Sequence, residues 1–451
     1  MEGDKIDASR IDDYMNKVLK HNKIPGCYLF TMHKGQIVCD KGYGISDHSS
    51  KKKVTQETYF QLGSTSKAFT ALAILQMEML QKLSRRDLVS KYIPWFNVYY
   101  KKEEVEITIE NLLYHTSGIP TKTIADIPSA FGNDALEQTV RVLVGQNLVC
   151  RPGTKFLYAT INYDILGYII EVITNDSFEK YIKKEIFDSI GLNQEGVGFT
   201  YFPRDKIAKG YKKEFLHHVE YAAPIYKGNV PSGYIYLNGI DMSKWIQFQL
   251  HPNKTWSNLI EESHKLHENA LIKKGAYYAA GWQVEPEKDI ISHLGRNPNY
   301  VSCIYLKPKE NTGVAVMTNT SLTYAKDIGD QVLRILDGKR SKYIFYNNMV
   351  LMDIAFTILA LSFAGYTVFT LFTLAKAIMQ TWCNSEYIFK LIVSCVGISA
   401  SYYCVKKLAD KNKGIIKIKD FIKVWAPKSV YSSFLMFFIC VWLTLLFLII
   451  E

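Results

Sequence analysis

The chain has 451 residues, 48% of them hydrophobic, with a formal net charge of +11, so it can build a large core. From Lys339 onward thirteen Lys and Arg stand against five Asp and Glu, which puts eight of those net charges in the apolar tail. That placement suits membrane flanks and argues against a nucleic-acid surface, and eight cysteines without CxxC or metal-ligand spacing point to no metal and no cofactor.

The first residues, MEGDKIDASRIDDYM, are acidic and polar and do not read as a signal peptide. Residues 7–23 suggest an amphipathic helix, and GCYLFTMHKGQIVCDKGYG reads as two strands about a Lys34-Gly35 turn. Next comes FQLGSTSKAFTALAILQMEML, Phe60 to Leu80, where a loop becomes a long apolar helix with Ala68, Ala71, Leu72, Leu75, Met79 and Leu80 at helical spacing. If the helix starts near Ser64, Lys67 falls one turn on and shares its face. An amine there can take the hydroxyl proton and make the serine a nucleophile. Ser64 could equally be a plain helix N-cap.

Helical stretches then dominate: residues 109–114, 136–145, 161–173 and 178–189. In RPGTKFLYATINYDILGYIIEVI, residues 151–154 are a turn and 156–158 are extended, with helix from Asn162 onward. Tyr158 therefore lies where its hydroxyl can point into a cleft and shuttle a proton, although it is also one of 30 tyrosines that could merely pack. Strands return in WQVEP, DIISHLG, YVSCIYLKP and TGVAVMTN, followed by a closing helix over 328–336. His293 and Gly295 end the second of these strands. A glycine there lets a substrate chain lie close to the backbone, and the amide of Arg296 can join that of Ser64 in an oxyanion hole. Strands at both ends of a helical centre predict one α/β sandwich whose sheet joins N- and C-terminal strands.

The tail holds three apolar runs, about 349–375, 387–405 and 430–450, which the composition predicts as transmembrane helices across a core of about 30 Å. The expected organisation is a catalytic domain over 1–338 and a membrane domain over 339–451. Small residues and threonines in the first span (Thr357, Ala360, Ser362, Ala364, Gly365, Thr367, Thr370, Thr373) suit close helix packing. Lys-rich KKLADKNKGIIKIKDFIKVWAPK, between the second and third runs, reads as a cytoplasmic loop or interfacial segment. Cys27, Cys39, Cys150 and Cys303 are expected to be buried thiols rather than a disulfide framework.

The order Ser64-Thr65-Ser66-Lys67, Tyr158-Ala159-Thr160, His293-Leu294-Gly295 resembles the serine β-lactamase and penicillin-binding-protein superfamily, in particular its class C-like branch, whose three elements read SxxK, YxN and HxG or KTG. The segments LLYHTSGIP, PGTKFLYATINYDILG and SGYIYLNGIDMSKWIQFQL are similar to connecting segments of that branch, and the resemblance covers roughly residues 8–338. It implies a β-lactamase-like fold, Ser64 as acylated nucleophile, Lys67 as its proton acceptor, Tyr158 as general acid and base, and His293 in place of the KTG lysine. Where YxN has asparagine this chain has Thr160, with Asn162 two positions on as a possible stand-in; threonine offers only a short hydroxyl.

A catalytic domain followed by three spans resembles the membrane peptidases that remove an N-acyl-D-asparagine group from nonribosomal peptide products. The implied partners are a peptide or acylated small-molecule substrate and the lipid bilayer, with no nucleic acid and the oligomeric state left open. Two alternatives stand beside this: a β-lactamase or esterase of the same fold, and a non-hydrolysing penicillin-recognising or regulatory protein. The resemblance places the catalytic domain outside the cytoplasm, at the plasma membrane. The Lys-rich loop and the missing leader point the other way.

Overall fold

The apolar runs at the two ends of residues 26–318 pair with one another, as the computed structural model shows. It describes residues 8–192, 196–198, 205–343, 347–381 and 420–450. Strand β1 (Gly26–His33) is flanked by β2 (Gln36–Asp47), across the left-handed pair Lys34 and Gly35. A short β3 (Lys52–Lys53) extends that edge. The C-terminal strands are β4 (Leu271–Lys273), β5 (Ala276–Tyr278), β6 (Gln283–Glu285), β7 (Ile290–Arg296), β8 (Val301–Lys307) and β9 (Thr312–Thr318). They complete a nine-stranded antiparallel sheet in the order β4-β5-β6-β7-β8-β9-β1-β2-β3.

Helices cover both faces of this sheet. Among them are α1 (Ala8–Asn22), α2 (Lys67–Met79), α3 (Ile161–Thr174), α4 (Gly239–Leu250) and α5 (Tyr324–Leu336). Gly313 of β9 meets Ile246 of α4, whereas Gly329 of α5 meets Tyr305 and Val316. Successive strand residues alternate sides and Tyr305 pairs with Val314, so α4 and α5 lie on opposite faces. β9 is consequently buried at every position, which is why TGVAVMT reads as an unbroken apolar run. Helix α2 is buried from Lys67 through Met77, as a helix apolar all round must be.

Local departures from the sequence expectations have physical causes. Gly63–Ser66 is a 3-10 turn and the α-helix begins at Lys67 rather than Ser64. The helix expected over 178–189 is interrupted by a π-helical segment, Ile182–Phe187. Strands β4 and β5 were not foreseen, since each has three residues around Lys274-Gly275. All four cysteines of the sheet-containing region are buried and free.

The chain forms two compact units, Met1–Tyr211 with Glu220–Phe345 and Lys212–Val219 with Tyr346–Glu451. The second therefore includes a segment of the hairpin Tyr211–Glu214/His217–Glu220 as well as the tail. Within it, α6 (Asn348–Thr381) and α7 (Lys428–Ile450) pack along each other, with Phe356–Phe434 and Phe363–Phe437 ring centroids 6.0 and 5.5 Å apart. Thr357, Ala360 and Thr370 of the small-residue stripe are buried. Asp353 is buried and accepts from Ser429 Oγ at 2.6 Å and from the Leu216 amide at 2.8 Å. The Lys212 ammonium donates to the carbonyls of Lys423 and Val424 at 3.1 and 2.7 Å, and Lys428 pairs with Glu214 at 3.2 Å. Both α6 and α7 are long and apolar enough to cross a membrane; the run at 387–405 lies outside the described residues.

Candidate active site

Ser64 stands on the Gly63–Ser66 turn, directly before α2. Gly63 has φ +57°, and a Cβ on it would sit 2.4 Å from the Arg296 amide nitrogen, so only glycine lets β7 lie this close to the nucleophile's turn. Lys67, in the first turn of α2, is fully buried. Its Nζ lies 3.4 Å from Ser64 Oγ, 3.2 Å from Thr160 Oγ1 and 2.7 Å from the Ser232 carbonyl. The rings of Tyr158 and Tyr163 flank it at 5.3 and 5.5 Å, and no carboxylate pairs with it among the described residues. A buried amine seated by two oxygens and two aromatic faces, within reach of a serine hydroxyl, is poised for proton exchange with that serine.

Tyr158 precedes the N-terminus of α3. The Leu157 amide donates to the His115 carbonyl and Thr121 Oγ1 donates to the Tyr158 carbonyl, which fixes the loop. The Tyr158 hydroxyl is buried with no hydrogen-bond partner among the described residues, and its ring lies 4.2 Å from that of His115. Burial, then the charge of Lys67 and the nearby His293, hold His115 well below the usual imidazole range. It is therefore neutral, and Nδ1 accepts from Asn162 Nδ2 at 3.0 Å.

Asn162 does not stand in for the family asparagine at the lysine. Its amide oxygen accepts from Ser117 Oγ at 3.0 Å and its nitrogen serves His115, so it ties α3 to the HTSG loop. Thr160, at the start of α3, is the residue that reaches Lys67. Two positions along a helix face nearly opposite ways, and that signal was present in the sequence.

The expected role of His293 also changes. It is 2% exposed; Nδ1–H donates to the Leu294 carbonyl at 2.9 Å and Nε2 accepts from the Tyr278 hydroxyl at 3.0 Å. Burial, then the Lys67 charge, bring its pKa down to about 3. A neutral imidazole with both nitrogens engaged cannot supply the positive charge of a KTG lysine. Gly295, expected to admit a substrate strand, instead admits the chain itself: a Cβ there would lie 1.8 Å from the Leu62 carbonyl oxygen. His115, Ser117, Tyr278 and Ser232 belong to the site's framework and were not singled out from sequence. Only the HTSG stretch carried a hint of the first two.

A family model described as Beta-lactamase matches residues 11–338. Protein flp of Staphylococcus aureus (strain COL) is 31% identical over 333 residues, covering 73% of this chain and 67% of that protein. Among solved structures, the octameric penicillin-binding protein homologue from Pyrococcus abyssi aligns with a TM-score of 0.65 and 25% identity, over 74% of this chain and 78% of its own. The fold is shared as well with EstCE1, a hydrolase with promiscuous acyltransferase activity, at a TM-score of 0.63 and 20% identity over 73% of this chain and 97% of the other. The chain belongs to the beta-lactamase family of serine hydrolases, related to penicillin-binding proteins, and has its α/β fold.

Proposed function

We propose that this chain is a membrane-attached serine hydrolase of the class C-like, peptidase kind, which cleaves an amide through an acyl-enzyme on Ser64. The observation that carries this reading is the buried Lys67 amine within 3.4 Å of Ser64 Oγ. Ser64 Oγ attacks the substrate carbonyl carbon while its proton passes to Lys67 Nζ. The carbonyl electron pair moves to oxygen, stabilised by the amides of Ser64 and Arg296. Collapse breaks the C–N bond and expels the amine, which takes the Lys67 proton relayed through the Tyr158 hydroxyl. Water then attacks the acyl carbon, its proton passing through Tyr158 to Lys67 and from there to Ser64 Oγ as the ester bond breaks. Thr160 and Ser232 orient Lys67; His293, Gly295 and Asn162 hold the surrounding elements in place.

The substrate class we infer is a peptide that is N-acylated or contains a D-amino acid, with prodrug maturation as one setting. Penicillin, after which the Pyrococcus homologue is named, is itself an amide. The apolar helices α6 and α7 support residence in a plasma membrane, where an acylated substrate would also partition. We place the catalytic domain on the extracytoplasmic side, a reading supported by its resemblance to exported relatives. A fluorophosphonate probe on the full chain is expected to label Ser64 and to fail on Ser64→Ala; equal labelling of both would overturn the reading.

A further inference from the structure

Asp164 lies on α3, one turn beyond Thr160, and is fully buried. Its Oδ2 accepts from Asn229 Nδ2 at 2.6 Å, while Oδ1 makes no hydrogen bond of ordinary geometry. Its remaining hydrogen-bonding pull comes from the Ser232 side chain and amide, on the same segment as Asn229. The segment it grips leads directly to the lysine: the Pro231 carbonyl accepts from Thr70 Oγ1 at 2.7 Å, the Ser232 carbonyl accepts from Lys67 Nζ at 2.7 Å, and Ser232 Oγ donates to the Thr160 carbonyl at 2.7 Å. Residues 229–232 are thus tied to Asp164 at one end and to Lys67 at the other. Burial raises the Asp164 carboxyl to about 7, against the pull of Ser232, the Lys67 charge and Asn229. The Tyr234 hydroxyl, just beyond that segment, also feels the Asp164 charge.

We propose that Asp164 is a positioning residue for Lys67: it anchors the segment whose Ser232 carbonyl seats the amine, and its carboxylate supplies the negative charge that the buried amine otherwise lacks. This rests on the Ser64–Lys67 reading above. In acylation the Ser64 O–H bond breaks and an N–H bond forms on Lys67, so positive charge appears in a buried site as the Ser64 O–acyl bond is made. An anion whose carboxyl already feels the Lys67 charge offsets it.

The test compares the pH dependence of fluorophosphonate labelling in the full-length protein and in Asp164→Asn, which keeps the shape and can still accept from Asn229. Removing the anion should move the midpoint of the profile to lower pH by about half a unit, roughly threefold more labelling near pH 7.5 relative to the plateau. Asn229→Ala, which strips the carboxylate of its donor, should move it the same way and serves if Asp164→Asn does not fold. An unmoved midpoint with intact Ser64 labelling overturns the role of Asp164 and leaves the hydrolase reading standing. Absence of Ser64 labelling in the wild type overturns the hydrolase reading instead. A double-mutant cycle of Asp164→Asn with Lys67→Met, read by urea unfolding at pH 8.5 and pH 5, then decides the pairing: coupling confined to the higher pH supports it and additivity at both overturns it.

Discussion

Gly295 and the Leu62 carbonyl oxygen are separated by so little space that a Cβ on the glycine would lie 1.8 Å from that oxygen. The carbonyl cannot swing away, because Ser302 Oγ and Thr65 Oγ1 both donate to it, at 2.5 and 3.0 Å. Strand β7 and the nucleophile's turn are therefore held together through a position that tolerates no side chain. Gly295→Ala is expected to destabilise the protein by about 1–3 kcal/mol, the usual cost of overpacking, and to slow labelling of Ser64. Wild-type melting and labelling in this variant would show that the two segments separate freely.

Lys67 should trade stability against activity. Lys67→Met replaces a fully buried amine with an apolar chain of similar volume, and at pH 5, where the Asp164 carboxyl is protonated, should leave stability equal or higher. Turnover should fall by about two to four orders of magnitude through loss of the proton acceptor. A variant that keeps its rate excludes Lys67 from proton transfer; one that loses stability sharply shows that the Thr160 and Ser232 contacts dominate its role.

Thr160 gives Lys67 a hydroxyl contact at 3.2 Å and has no amide with which to donate to a substrate carbonyl. Thr160→Asn is expected to raise kcat/KM on amide or β-lactam substrates relative to esters by up to about tenfold, the worth of one hydrogen bond. Equal effects on both classes would show that this position does not read the acyl group.

One buried and one half-buried group predict opposite pH trends in stability. His293, near 3 when folded and about 6.5 when unfolded, contributes stability that is complete above pH 6.5 and lost as pH falls toward 3. His293→Gln, which cannot charge, should lose less in its urea midpoint between pH 7 and pH 4.5 than the wild type. The Glu171 carboxyl, raised to about 7 mainly by burial, is complete below about pH 4.5 and lost as pH rises through 7. Glu171→Gln should therefore gain in melting temperature at pH 8 relative to the wild type and show little gain at pH 4.5. The same difference at both values would mean that neither group titrates across folding.

The sheet and the serine–lysine pair were legible because both depend on local pattern: apolar strands such as TGVAVMT, and two polar residues one turn apart at a helix start. The partners of His293 were not. Tyr278 lies on β5, two strands away, and nothing in the sequence announces which hydroxyl a fold will bring to an imidazole. Asn162 was misjudged where helix geometry could have decided, since a residue two positions from Thr160 points away from Lys67. The hairpin at 211–220 escaped notice because its polar anchors, Asp353, Lys423 and Lys428, lie far along the chain.

That hairpin sets the terms on which the protein can be divided. Residues 212–219 belong with the apolar helices, and Lys212 donates to the carbonyls of Lys423 and Val424. A gene truncated after residue 338 would express a fragment whose Lys212 ammonium has lost the Lys423 and Val424 carbonyls and whose apolar turn at Phe215-Leu216 has lost Asp353, prone to self-association. The Tyr221 amide donates to the Gly210 carbonyl at 2.9 Å, so the two ends of the excursion already touch. Excising the hairpin and closing the gap with a tight polar turn, in the same step as the truncation, is the cut that should yield a soluble, monodisperse hydrolase domain.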